Sequence, residues 1–136
     1  MISGPLYPEI DPADYLTLAR ELSARPEKSA CRSAVDRSYY AAFLTCRDVL
    51  TVKGYLTPYY NYKDHRYVTE TSRKVLGSRG NDEFILHNAR NRINYDTRDL
   101  SRGQSADLRS VSWMINTAEN IINLVNKLPE KPKSRE

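Results

Sequence analysis

The sequence predicts an all-α fold, a compact bundle of four or five helices in a single domain spanning residues 1–136. Three observations carry this reading. Apolar residues recur three and four positions apart in several long segments. Helix start and stop residues flank those segments. No segment alternates apolar and polar residues with the period of two that a half-buried strand requires. A chain of 136 residues can bury one core of its own.

Residues 1–10, with Pro5 and Pro8, read as an extended arm. "DPADYLTLARELSARP" then opens a helix with Asp11 as N-cap, Pro12 in the first turn and Asp14 near the positive helix end. Tyr15, Leu18, Ala19 and Leu22 follow helical spacing, and Pro26 stops the element. The longest helix is expected in "EKSACRSAVDRSYYAAFLTCRDVLTVKG". Its apolar stripe runs through Cys31, Ala34, Val35, Tyr39, Ala42, Phe43, Cys46, Val49 and Leu50, and Gly54 suits its C-terminal cap. The small residues Ala34, Ser38, Ala41 and Ala42 would let a neighbouring helix approach closely.

"YLTPYYNYKD" has no period and reads as a loop. A shorter helix covers "HRYVTETSRKVLG", ending at Gly77. Asn81 caps another through "DEFILHNARNRIN", with Phe84, Ile85, Ala89 and Ile93 inward. After a polar gap, Ser105 caps a long helix from Ala106 to about Leu128, with Leu108, Val111, Ile115, Ala118, Ile122 and Val125 on one face. Residues 129–136 read as a flexible tail.

Composition narrows the function. The net charge of +4 permits contact with nucleic acid without demanding it, since an electrostatic footprint needs clustering and part of the excess sits in the tail. Ten tyrosines against two phenylalanines and one tryptophan suit half-buried surfaces and interfaces. Cys31 and Cys46 would lie about 22 Å apart along one helix, so they read as core residues rather than a disulfide. No apolar run approaches membrane-spanning length, and the first residues lack a secretory pattern, so the expectation is a cytoplasmic protein without membrane contact. No phosphate loop, nucleophile elbow or metal-ligand spacing occurs, and neither a metal nor a cofactor is expected.

The strip "HNARNRINYD", His87 to Asp96, stands out. On a helix His87 lies beside Arg90 and Asn91, Arg90 beside Asn94, and Asn91 beside Tyr95. A guanidinium fork suits a phosphate, and asparagine can fix an oxygen or orient a neighbour. On spacing alone the polar end of an ordinary helix is the better reading. Arg37 and Arg47 point about 80° apart on their helix and read as surface charges or phosphate contacts.

"RSYYAAF" followed by "ARNRINYD" resembles the two signature segments of HEPN-domain proteins, in the family's order. The likeness covers roughly residues 11–128 and is nearest to the small stand-alone prokaryotic members. The resemblance implies a homodimer with an Arg–His motif from each chain in a shared cleft. It also implies metal-independent ribonuclease activity, as in toxins and antiviral defence, or non-catalytic binding of RNA, nucleotides or proteins. A nucleotidyltransferase antitoxin is the implied partner of such toxins. Carried over by position, Arg90 matches the motif arginine and Asn91 the polar residue after it, with Arg92 and Asn94 as further substrate contacts. The motif histidine does not carry over: four to six residues beyond Arg90 stand Tyr95, Asp96 and Thr97. Tyr95 is the expected occupant, and a phenol titrating near 10 is a poor base at neutral pH. Proton transfer would then fall to His87, or to His65 reaching in from the neighbouring helix. The Tyr55, Tyr59, Tyr60 and Tyr62 loop reads as a lid, a dimer contact or a base-stacking surface. Two functions stay open: an RNA-cleaving or RNA-binding protein, and a non-catalytic dimeric module that docks a partner.

Overall fold

The computed structural model describes residues 10–95 and 108–132, and within them the side chains of all but residues 79, 93–95 and 108–110. Among the described residues five helices follow one another: α1 Pro12–Ser23, α2 Lys28–Val52, α3 Lys63–Leu76, α4 Asn81–Tyr95 and α5 Leu108–Asn126. A 3₁₀ turn, Gly77–Gly80, joins α3 to α4. There is no strand among the described residues. The expected all-α bundle is the observed fold.

α1 starts as its sequence dictates. Asp11 is extended, and its carboxylate accepts a hydrogen bond from the Ala13 amide at 3.0 Å. Pro12 occupies the first helical position, where a missing N–H costs nothing. Ala19 is fully buried and Leu16 and Leu22 pack on the core. Leu18 was expected inward but is 39% exposed, because the strip of α1 that touches the bundle is centred on Ala19, one residue round the helix.

α2 is the axis of the bundle and packs against all four other helices. The reason is in its small residues. Ala34, Ser38, Ala41 and Ala42 have no exposed surface, so neighbouring backbones approach closely on more than one side. Cys31 and Cys46 are buried and free. Gly54 follows the helix at φ +89, the left-handed conformation that glycine adopts without a Cβ clash.

Lys53, at the C-terminal cap of α2, also caps α5. Its ammonium donates to the carbonyls of Val125 at 3.4 Å, Asn126 at 2.7 Å and Leu128. A cation there satisfies carbonyls that lack a helical partner and faces the negative end of the helix dipole. Residues 129–132 lie against the same corner. The Tyr55 hydroxyl donates to the Pro129 carbonyl at 2.9 Å, and the Lys131 amide to the Lys53 carbonyl at 2.8 Å.

α4 corrects one expectation. Phe84 and Ile85, expected inward, are only half-buried, whereas Glu83 and Leu86 have no exposure. The helix turns the face of Glu83, His87 and Arg90 toward α2 and α3, and this leaves the apolar pair at the margin. Phe84 is partly covered by the Arg73 guanidinium, 4.1 Å from its ring centre. The fourth inward residue, Ile93, has its side chain outside the described set. On α5, Val111, Ile115, Ala118 and Val125 are buried as expected, but Ile121 rather than Ile122 completes the stripe. Ser105 and Ala106 lie outside the described residues. No described helix is long and apolar enough to cross a membrane.

The α3–α4 turn depends on Gly80. A Cβ there would sit 2.1 Å from the Ser72 carbonyl oxygen and 2.7 Å from the Arg73 nitrogen, both backbone atoms that cannot step aside. Gly80→Ala is expected to lower stability by about 2 kcal/mol or more, in line with overpacking of a closed contact. Urea denaturation checks it, and an unchanged midpoint would refute the close approach.

Candidate functional site

Three helices bring polar and aromatic side chains together on one side of the bundle. α2 contributes Asp36, Tyr39, Tyr40 and Phe43, which share a face because they stand three and four residues apart. α4 contributes His87, Arg90 and Asn91 by the same spacing. α3 contributes His65 from its first turn.

Tyr39 is the wall of the site. Its ring is fully buried and stacks on His87 at 5.2 Å between centroids and on His65 at 5.7 Å. Phe43, one turn on, stacks on His65 at 4.4 Å. The Tyr39 hydroxyl shares a hydrogen bond with His65 Nδ1. Burial, reinforced by the nearby Glu83 carboxyl, pushes the phenol far above its ordinary value, so it keeps its proton. The two imidazoles are 22 residues apart in sequence, yet their rings lie 5.4 Å apart and nearly parallel.

Arg90 is held from three directions. Its Nε donates to Asp36 Oδ1 at 3.2 Å, Nη1 to Asn91 Oδ1 at 2.9 Å and Nη2 to the Tyr40 hydroxyl at 2.7 Å. The guanidinium also lies over the Tyr40 ring at 5.2 Å and the Tyr39 ring at 5.6 Å. A guanidinium has five N–H groups, so these bonds fix its plane, and two have no partner among the described residues. Asp36 balances its charge while both side chains stay largely shielded from water.

Both imidazoles titrate below their ordinary value. Burial is the main cause for each. For His65 the charges of His87 and then Arg90 add to it, and for His87 that of Arg90. The pair is therefore mostly neutral at pH 7, and either ring can accept a proton. No described residue engages a ring nitrogen of His87 in a hydrogen bond, and His65 keeps Nε2 for a ligand once Nδ1 is bonded to Tyr39.

Behind the histidines lies Glu83, fully buried one turn before His87. Burial pushes its carboxyl up to about 7. Thr69 Oγ1 is in hydrogen-bond reach of both this carboxyl and the His65 carbonyl, the latter at 2.8 Å. A hydroxyl has one proton, so both bonds are satisfied when Thr69 donates to the carbonyl and a protonated Glu83 donates to Thr69. The other carboxyl oxygen, Oε1, has no partner among the described residues. The α3–α4 hairpin thus has three rungs: Gly80 on Ser72, Glu83 on Thr69, His87 against His65. From rung to rung each helix advances by three and then four residues.

The sequence-derived candidates divide accordingly. His87, Arg90 and Asn91 meet in the site. Arg92 is exposed on α4 outside this cluster. Asn94 and Tyr95 end α4 with side chains outside the described set, and Asp96 and Thr97 lie outside the described residues altogether. His65, considered only as a residue reaching across, stands at the centre. Asp36 and the direct roles of Tyr39 and Tyr40 were not read from the sequence. Their signal is the i, i+4 step from Asp36 to Tyr40 on the face that carries Phe43. Among the described residues no three His, Cys, Asp or Glu side chains gather in a metal-binding group. Comparison with protein-family models, curated proteins and solved structures finds no match for this chain.

The ionisable groups give opposite pH effects. Glu83 is raised in the folded state, from 4.5 to about 7. Its stabilising share is complete below pH 4.5 and is lost as pH rises through about 7. The histidines are lowered, so their share is complete above pH 6.5 and is lost as pH falls through their depressed values. Glu83→Gln should therefore stabilise the protein increasingly between pH 4.5 and 7, reaching roughly 3 kcal/mol and levelling off above. In that variant the histidines show alone, as stability that declines below pH 6.5. Urea midpoints across pH 4.5 to 8.5 test both, and a variant gain independent of pH would contradict the buried acid.

Proposed function

We propose that this chain is a HEPN-type, RNA-cleaving protein that breaks the phosphodiester chain without a metal, with His87, His65 and Arg90 as its reactive group. The observation that supports this reading is the meeting of two imidazoles beside one immobilised guanidinium. Cleavage at a 2′-hydroxyl needs a base for that hydroxyl, an acid for the departing 5′-oxygen and positive charge near the phosphorus. Tyr95 at the motif histidine position would leave the site short of an imidazole, and His65 makes up the number.

Roles follow from the hydrogen bonds. His87, with neither nitrogen engaged by a described residue, takes the proton of the 2′-hydroxyl as the oxygen attacks phosphorus. The P–O5′ bond breaks, and His65 in its protonated form gives its Nε2 proton to the leaving oxygen. Tyr39 at Nδ1 keeps the ring turned for that transfer. The two remaining N–H groups of Arg90 face the non-bridging oxygens. A phosphodiester bound there brings negative charge that favours the protonated form of His65, which burial disfavours.

A second reading draws on the same contacts. Asp36, Tyr40 and Asn91 occupy three of the five Arg90 donors, which suits a residue that fastens α4 to α2 in a non-catalytic module docking a protein partner.

The two readings separate in one assay. Under the first, the purified protein cuts single-stranded RNA in EDTA with a bell-shaped pH profile, and Arg90→Ala abolishes cutting. His87→Ala or His65→Ala lowers the rate at least a hundredfold while the fold stays intact by circular dichroism. No cleavage by the wild type, together with a large loss of stability in Arg90→Ala, would remove the catalytic reading and leave the second.

A further inference from the structure

The loop between α2 and α3 is built to hold aromatic rings outward. Tyr59, Tyr60 and Tyr62 are 60%, 69% and 80% exposed, three large rings within four residues. A floppy loop would bury or disperse them, but this one is fastened. The Asp64 carboxylate, 1% exposed, accepts hydrogen bonds from the Tyr59 amide at 2.9 Å and the Tyr60 amide at 2.8 Å. Tyr60 takes φ +58, a left-handed backbone that a tyrosine adopts only when its surroundings compel it. Asn61 adds a further tie, its side-chain oxygen accepting the Lys63 amide at 2.9 Å. A buried carboxylate and a strained residue are thus committed to displaying rings in water.

Cations lie against these rings. The Arg47 guanidinium is 5.0 Å from the centre of the Tyr60 ring, and the Lys63 ammonium 5.6 Å from that of Tyr59. Tyr59 leans on Tyr67 at 5.6 Å, which steadies it. Asp48 pairs with Arg47 at 2.9 Å and Glu70 with Arg66 at 2.8 Å, so of these three cations only Lys63 has no carboxylate partner among the described residues. A flat π-face beside a cation is the pairing that an unpaired nucleotide satisfies, base on ring and phosphate on cation. The loop also adjoins the histidine cluster: Asp64, which fastens it, is followed directly by His65.

We infer that the Tyr59–Tyr62 loop is a stacking platform for single-stranded RNA, which grips the nucleotides flanking the one held between His65, His87 and Arg90. The inference rests on the RNA reading above and names where that RNA would lie. The rings give affinity without base choice, because every base has a π-face.

The test separates binding from cutting. A fluorescein-labelled single-stranded RNA of about twelve nucleotides, 2′-O-methylated so that the attacking hydroxyl is gone, is titrated with the full chain and followed by anisotropy. The Tyr59→Ala, Tyr60→Ala, Tyr62→Ala triple variant should bind at least tenfold more weakly. The corresponding triple Phe variant, which keeps the rings, should stay within about twofold. Asp64→Asn, which keeps the rings but loosens their fastening, should fall between the wild type and the triple Ala variant. Equal affinity of the triple Ala variant and the wild type overturns the platform. If that variant also cuts normally, the cleavage reading survives without it. Ring-dependent binding by a chain that does not cut supports the platform and removes the cleavage reading. Loss of self-association in the triple Ala variant at unchanged RNA affinity would make the loop a contact between two chains, and would overturn the inference.

Discussion

The arrangement hangs on one buried ring. Tyr39 sits at the middle of α2 with no exposed surface, and both imidazoles lie flat against it. Its hydroxyl sets the orientation of His65. An aromatic ring buries a large apolar area yet keeps one polar handle, and here the area packs the core while the handle meets His65. Without the ring there would be no surface on which α3 and α4 could lay their histidines side by side.

Around it, interactions of different strength divide the labour. The small residues of α2 allow close approach and so fix distances between helices. The Arg90 contacts to Asp36, Tyr40 and Asn91 fix an angle, because a planar fork bonded at three points cannot rotate. Surface pairs such as Arg20 with Glu119 join α1 to α5 but are well exposed, and pairs of that kind contribute little to stability. The site is consequently stiff where charge would develop in a reaction. Its buried acid is ionisable near neutral pH, and Thr69 links it to the backbone of His65.

Much of the fold was legible, and for definite reasons. Asp11 and Pro12 mark the start of α1 through groups local to the helix end, and Gly54 and Gly77 mark stops through backbone geometry that glycine accepts. Periodicity located each helix and, on α2, its buried face, but it did not fix the rotation of α4. On α4 the apolar pair Phe84 and Ile85 pointed to the wrong face, because a buried Glu83 is invisible to a rule that puts apolar residues inside. On α2 Asp36 looked like one more scattered carboxylate, since nothing local to it says that Arg90, 54 residues later, will arrive. His65 was undervalued for the same reason. Its meeting with His87 follows from counting equal steps outward from the turn at residues 77–80, a register that becomes readable only once both helices and their turn are granted.

That register gives Gly80 a second meaning. A hydrogen atom where every other residue carries carbon sets how near α4 can come to the Ser72 carbonyl, and the later rungs inherit the spacing. The glycine works as a gauge block at the closed end of a pair of calipers. The jaws, two turns away, are the imidazoles, and their gap is a dimension fixed by an atom that is not there.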